Sequence, residues 1–286
     1  MYRSKFSYLG ILFILPSILS CNSNTTTESE STTKDTATTQ VAPASVRPVH
    51  WSYSEEGGPA GWGSLSPVYA LCGSGRSQSP INLLVNTGKG THDWKVEYKT
   101  TRLEISHNQH VEELINNGHT IQVTPQEGST LSYGGRIYHL KQFHFHTPSE
   151  HTVDGKHSPM EIHMVHQSDD KSLAVIGVLV QQGSDNKDFD QLVKHLPNTP
   201  GEKKTHDSVS INVGIHVPKD LYAYHYVGSL TTPPCSENVQ WLVLRTPITM
   251  SNEQLTAFSS RLKNNNRPLQ PINERTLTVD DIPTKN

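Results

Sequence analysis

Stretches of near-continuous aliphatic character are set along this chain among segments whose apolar and polar positions alternate. LAVIGVLVQQG (Leu173–Gly183) and NVQWLVLRTPI (Asn238–Ile248) are rich in Val, Leu and Ile and predict buried strands. Helical periodicity is scarce. SNEQLTAFSSRL begins with Ser251 followed three residues later by Gln254, a capping-box pattern, and then puts Leu255, Phe258 and Leu262 on one face. DFDQLVKHL (Asp188–Leu196) is a second, shorter helix candidate. Eighteen prolines and 19 glycines, spread along most of the chain, call for many turns, and there are no internal repeats. From His50 onward this is the texture of one β-rich domain, and 286 residues leave room for a core of useful size.

Alternation becomes informative in QFHFHTPSEHTVDGKHSPMEIHMVH (Gln142–His166), which holds six of the 16 histidines. On a strand Gln142, His144 and His146 face one way and Phe143 and Phe145 the other. In MEIHMVH, Glu161, His163 and Val165 share a face, with Ile162, Met164 and His166 behind. If the two strands pair, His144, His146 and His163 converge on one point. Three neutral imidazoles around an open fourth position describe a catalytic zinc site. Gln142 and Glu161 each precede a ligand by two residues on its own face, placed to accept that ligand's second ring N–H.

The first residues have a different character. Arg3 and Lys5 precede FSYLGILFILPSILS, an apolar run suited to an export signal and short of the roughly 20 residues a membrane span needs. The run ends in ILSC, which resembles a lipoprotein signal with Cys21 as the lipidated residue, although Ile18 stands where Leu is usual; the alternative is ordinary cleavage with Cys21 a free thiol. Residues 21–47, dominated by Ser, Thr and Glu, bury too little to offset chain entropy and read as a disordered tether reaching roughly 25–30 Å. The expected divisions are therefore a signal at 1–20, the tether at 21–47 and the folded domain at 48–286. An exported, lipid-anchored protein at a periplasmic or cell surface is expected, with a soluble exported form as the alternative. With Cys21 so assigned, Cys72 and Cys235 remain, and an oxidising compartment favours their pairing over two buried thiols. A formal net charge of −3 gives nucleic acid no electrostatic footprint to bind.

From about Val49 to Leu277 the chain resembles the α-class carbonic anhydrases of bacteria. The motifs occur in order: HWSY (His50–Tyr53), SQSPINL (Ser77–Leu83), NNGHTIQV (Asn116–Val123), the histidine stretch, LAVIGVL (Leu173–Leu179), YVGSLTTPPCSENVQW (Tyr226–Trp241) and NRPLQP (Asn266–Pro271). The resemblance implies a mainly β fold: a large twisted, mostly antiparallel central sheet, a few short peripheral helices, and zinc at the bottom of a conical cleft. It implies reversible hydration of carbon dioxide to bicarbonate by zinc-bound hydroxide on His144, His146 and His163. Thr231, by the same resemblance, accepts the hydroxide's proton while donating its own to Glu150. Val165, Val175, Leu230, Val239 and Trp241 form an apolar wall for carbon dioxide, and Thr232 helps position the incoming oxygen.

Regeneration of the hydroxide requires losing a proton, and an acid of pKa about 7 releases one directly to water at only about 10³ s⁻¹ given a diffusion limit near 10¹⁰ M⁻¹s⁻¹. A buffering histidine removes that ceiling. His119 matches the family's proton shuttle, and Tyr53, Asn117 and Gln122 match the residues that hold the intervening waters. His151 resembles a buried structural histidine near Tyr226, His166 faces away from the metal, and His157 lies in a turn, in solvent. The short TPS connection between His146 and Glu150 resembles bacterial forms and implies a more open cleft rim. Bacterial relatives are often dimers, which makes a homodimer a further possibility, and a side esterase activity is chemically compatible with a zinc hydroxide. A binding module of the same fold typically lacks one of the zinc histidines, whereas all three are here. A zinc peptidase would want H-E-x-x-H, which is absent.

Overall fold

The structure is a computed structural model that describes residues 49–54, 56–84, 88–90, 94–107, 119–218 and 222–280. The chain divides into two units, Met1–Ala44 and Ser45–Asn286, and the described residues all belong to the second. The signal, Cys21 and the tether lie outside them, as do Asn117 and residues 281–286.

A 13-stranded sheet organises the domain. Its main path runs Lys203–Asn212, Thr100–His107, Ile121–Val123, Arg136–His146, Met160–Gln167, Leu173–Gln182, Glu237–Leu244, Ala223–Ser229, Thr278–Asp280 and Gly88–Lys89. Most pairings are antiparallel, but Leu173–Gln182 runs parallel to both Glu237–Leu244 and Ile248–Met250, and Thr278–Asp280 runs parallel to Gly88–Lys89. The sheet is thus mixed. Leu173–Gln182 explains its own unbroken apolar run: it is the interior strand between the histidine hairpin and Glu237–Leu244, and residues 174–180 are all buried.

Core packs on both faces. One cluster contains Phe143, Phe145, Ile162, Met164, Ile176 and Val178. The opposite cluster contains Val165, Val175, Val239 and Trp241, with Leu230 packed against it. A third, around Trp51, Trp62 and Tyr69, encloses the bridge Cys72–Cys235, so the two thiols are paired.

Among the described residues helices are few and short. Asn252–Leu262 forms as its sequence predicts: Ser251 accepts from the Gln254 amide, Gln254 reaches back, and Leu255, Phe258 and Leu262 are buried. Asp188–Leu196 divides into a 3-10 turn, Lys187–Phe189, and one α-turn, Asp190–Lys194. The short helices Trp62–Leu65 and Leu71–Ser74 carry no periodic signal that would have announced them.

The break in alternation that bears on the site lies in the strand Arg136–His146. The register slips between Val165 and His166, which pair with Gln142 and Leu140, so Lys141 is an extra, exposed residue. Before this bulge the even-numbered Tyr138 and Leu140 face the core; after it the odd-numbered Phe143 and Phe145 do. The one added residue keeps that core continuous and turns Gln142, His144 and His146 together to the other side.

Candidate metal centre

His144 and His163 are direct cross-strand partners, and His146 lies opposite Glu161. Parity carries all three imidazoles to the face away from Phe143, Phe145, Ile162 and Met164. Their ring centroids are 5.0, 5.2 and 4.5 Å apart, and one potential ligand atom from each lies within 4.8 Å of the others. His146 and His163 are buried, whereas His144 is partly exposed to the cavity.

The surroundings choose the tautomer of each ring. His144 Nδ1–H donates to Gln142 Oε1 at 2.8 Å, since an amide oxygen can only accept. His146 Nδ1–H donates to the Asn265 carbonyl at 2.6 Å. His163 Nε2 lies 3.0 Å from Glu161 Oε1. The available lone pairs are thus Nε2 on His144, Nε2 on His146 and Nδ1 on His163. His146 Nε2 is buried with no protein partner, an orphaned acceptor that a metal would satisfy. Burial also pushes His146 down to about 4 and lowers His163, against the pull of nearby carboxylates, so both rings are neutral ligands at neutral pH. The donor set fits zinc.

Glu161 braces more than the sequence suggests. Its Oε2 accepts the amide N–H groups of Glu150 and His151, each at 2.9 Å, and its Oε1 also meets His151 Nδ1 at 2.8 Å. Burial alone would raise this carboxyl, but His151 and His163 hold it well below the usual carboxylate range. His151 Nε2 stands 2.6 Å from the Tyr226 hydroxyl, which donates to Ser79 Oγ at 2.8 Å. His151, Glu161 and His163 by themselves have the donor spacing of a metal site. The contacts among them identify that cluster as support for the triad instead.

Glu150 is fully buried, with Oε2 3.7 Å from His146 Nε2 and 3.8 Å from His163 Nδ1. Its Oε1 accepts the Arg267 amide N–H at 2.8 Å. Burial raises it to about 6, opposed by His163, the Thr231 hydroxyl and the Arg267 amide. Thr231 begins the turn TTPPC, whose end is tied down by the Cys72–Cys235 bridge.

A cavity of about 460 Å³ opens onto the triad. Val165, Val175, Leu230, Val239 and Trp241 line it together with Thr231, Thr232, Gln142, Tyr53 and His119. His119 is 4% exposed and stacks flat on Trp51, the rings 3.5 Å apart and tilted by 9°. Gln122 stands opposite His144 on the neighbouring strand, outside the lining residues. The remaining histidines separate cleanly: His166 is buried on the far side, 2.9 Å from the Tyr98 hydroxyl, and burial pushes it to about 3. His157 is exposed, in the two-residue strand Lys156–His157.

Two residues at the site escape sequence reasoning. Arg267 is buried, its guanidinium bonded to Gln78 Oε1 and the carbonyls of Ser79 and Cys72 and placed over Trp62. Asn265 is 1% exposed and touches both His146 and His119. Both follow the last long helix in a stretch with no periodicity; the only hint is NRPLQP among the family motifs.

The family model for eukaryotic-type carbonic anhydrase matches residues 57–280. A carbonic anhydrase from Nostoc is 42% identical over 242 residues, spanning 85% of this chain and 90% of the relative. One from Pectobacterium carotovorum is 42% identical over 230 residues, spanning 79% of this chain and 89% of the relative. Among solved structures, the α-carbonic anhydrase of Thermovibrio ammonificans, in complex with the inhibitor sulfanilamide, superposes with a TM-score of 0.74 at 39% identity, covering 81% of this chain and 99% of that one. With the histidine triad, its buried supports and the apolar-walled cavity in view, the chain belongs to the α-carbonic anhydrases, the enzymes that interconvert carbon dioxide and bicarbonate.

Proposed function

We propose that His144, His146 and His163 hold a catalytic zinc ion, and that Thr231, Glu150 and His119 orient the reacting water and carry away its proton. The observation that carries this reading is the buried, unpartnered Nε2 of His146 beside two further imidazoles whose tautomers are already fixed. Zinc in such a site supplies Lewis acidity and brings the pKa of a coordinated water to about 7, a value characteristic of carbonic anhydrases as a class and not drawn from this chain.

Thr231 has one proton to donate. An ionised Glu150 can only accept, so the Thr231 hydroxyl gives its proton there and keeps a lone pair towards the cavity. A water that donates to that lone pair has one of its own turned to the incoming carbon, which is the positional part of the catalysis. Carbon dioxide is small and apolar, and Val165, Val175, Leu230, Val239 and Trp241 offer it a dry wall with no competing hydrogen bonds. Thr232 lines the same cavity as that wall and takes the role of positioning the oxygen. His119, on the same cavity, takes the released proton and passes it to buffer, with Tyr53, Gln122 and Asn117 ordering the waters between. The same chemistry extends to activated esters. Attachment through a lipid on Cys21 and a homodimer remain part of this reading.

Stopped-flow hydration of carbon dioxide by residues 46–286, from pH 6 to 9 and before and after zinc removal, tests it. Activity should rise with a pKa near 7, vanish without zinc, return on its addition and be blocked by sulfanilamide. His144→Ala should lose both metal and activity. A zinc-loaded protein without hydration activity would refute the proposal in favour of a binding module.

A further inference from the structure

We infer that Asn265 is a positioning residue for proton transfer, tying the backbone of His119 to the strand that carries the metal ligands. This rests on the reading of His119 as the proton carrier. Asn265 follows the turn after the helix Asn252–Leu262, and both N–H groups and the oxygen of its side chain find partners. Its amide nitrogen donates to the His119 carbonyl and to the Phe145 carbonyl, each at 2.9 Å. Its Oδ1 accepts the Thr147 amide N–H at 2.9 Å. Phe145 and Thr147 flank His146, and the main-chain carbonyl of Asn265 accepts His146 Nδ1–H at 2.6 Å. One residue therefore grips the chain on both sides of a ligand, fixes that ligand's tautomer and holds the carbonyl of the proposed shuttle.

Two parts of Asn265 have separable duties. The carbonyl that sets His146 survives any substitution, whereas the link to His119 belongs to the side chain alone. Thr120, the residue after His119, adds a second staple to the same strand, its hydroxyl donating to the Phe145 carbonyl at 2.7 Å and accepting the Phe145 amide N–H at 3.3 Å. Trp51 confines the His119 ring by stacking but does not join it to the metal strand. The Asn265 amide, bonded directly to the His119 carbonyl, thus shares in setting the separation that a proton must cross by water. Its loss should slow proton release more than the interconversion of carbon dioxide.

Steady-state hydration separates the two, because kcat contains proton release while kcat/KM stops at interconversion. The enzymes to compare, all zinc-loaded, are wild type, Asn265→Ala, Asn265→Ser, in which a hydroxyl can still accept from Thr147, and His119→Ala. In weak buffer the Asn265 variants should lose about tenfold in kcat, below the roughly 10²–10⁴-fold a positioned acid–base group contributes, with kcat/KM down no more than about twofold. Imidazole should restore kcat in these variants and in His119→Ala, and adding Asn265→Ser to His119→Ala should slow it no further. Unchanged kcat in the Asn265 variants beside a slowed His119→Ala overturns the inference and leaves the shuttle standing. Parallel loss of kcat, kcat/KM and zinc also overturns it, by assigning Asn265 to the metal site alone. A His119→Ala enzyme as fast as wild type in weak buffer removes the shuttle reading and the inference with it.

Discussion

Glu161→Gln changes one atom and should disable the centre from behind. The native carboxylate is fully buried and meets donors at both oxygens: imidazole nitrogens at 2.8 and 3.0 Å on Oε1, and amide nitrogens at 2.9 Å, twice, on Oε2. A glutamine has one acceptor oxygen, so whichever way it turns, its NH₂ faces a pair of N–H donors. Two charge-assisted bonds are lost at about 1.5–3 kcal/mol each, and the stability of the metal-free domain should fall by about 3 kcal/mol or more. If the NH₂ faces the rings, His163 must accept at Nε2 and carry its proton on Nδ1, the nitrogen intended for the metal. Loss of a hydrogen-bond partner to a metal-binding histidine typically costs about 10–100-fold in affinity, and this variant should sit at the upper end. Urea unfolding of the stripped protein and zinc competition with a chelator read the two effects separately. A variant within about 1 kcal/mol of wild-type stability and twofold of its zinc affinity, against the 1.5–3 kcal/mol expected per bond, would refute the bracing assigned to Glu161.

Acid should destabilise the metal-free domain between about pH 6.5 and 4. His146 and His166 have folded pKa values of about 4 and about 3, lowered by burial, so the unfolded chain binds up to two more protons there and stability falls by roughly 1.4 kcal/mol per proton per pH unit. Glu150, raised by burial to about 6, works in the opposite sense, its contribution being present at low pH and lost as pH rises through that value. Denaturant titrations at pH 7, 6 and 5 giving a flat or rising stability on acidification would contradict this balance. Reducing Cys72–Cys235, or replacing both with Ser, opens a 163-residue loop and should lower stability by up to about 5 kcal/mol, seen as a shifted urea midpoint with and without reductant. Gly177→Ala should cost about 1–3 kcal/mol and weaken zinc binding, because its Cβ would lie 2.9 Å from Glu161 Oε1 and 3.2 Å from Val243 Cγ2; calorimetry of the loaded and stripped forms checks both.

Much of the centre is legible in the chain because its ligands lie on neighbouring strands, where parity turns spacing into direction. The shared faces of His144 and His146 with Gln142, and of His163 with Glu161, follow from period two, and their convergence needed only that the two strands pair. The apolar runs of Leu173–Gln182 and Glu237–Leu244 likewise announce strands covered on both faces. What stays hidden is whatever depends on chain crossing between distant segments. Arg267 and Asn265 meet residues 117 or more positions away, and no local pattern encodes such a meeting. Glu161's grip on His151 is closer in sequence, yet it crosses a tight connection whose backbone path alternation cannot supply. The parallel pairings of the sheet are hidden for the same reason, since parallel pairing needs a crossover and leaves no hairpin signature.

The bulge at Lys141 gives the strand Arg136–His146 an unusual genetic sensitivity. Its side chain points outward, so the identity of residue 141 is nearly free. Its existence is not, because removing it rejoins two stretches of opposite parity. Either Tyr138 and Leu140 would then turn into the cavity of the histidine triad or the histidine pair would turn into the hydrocarbon of the core. Among inherited changes at this position, substitutions should pass with little effect while a single in-frame codon loss eliminates the enzyme.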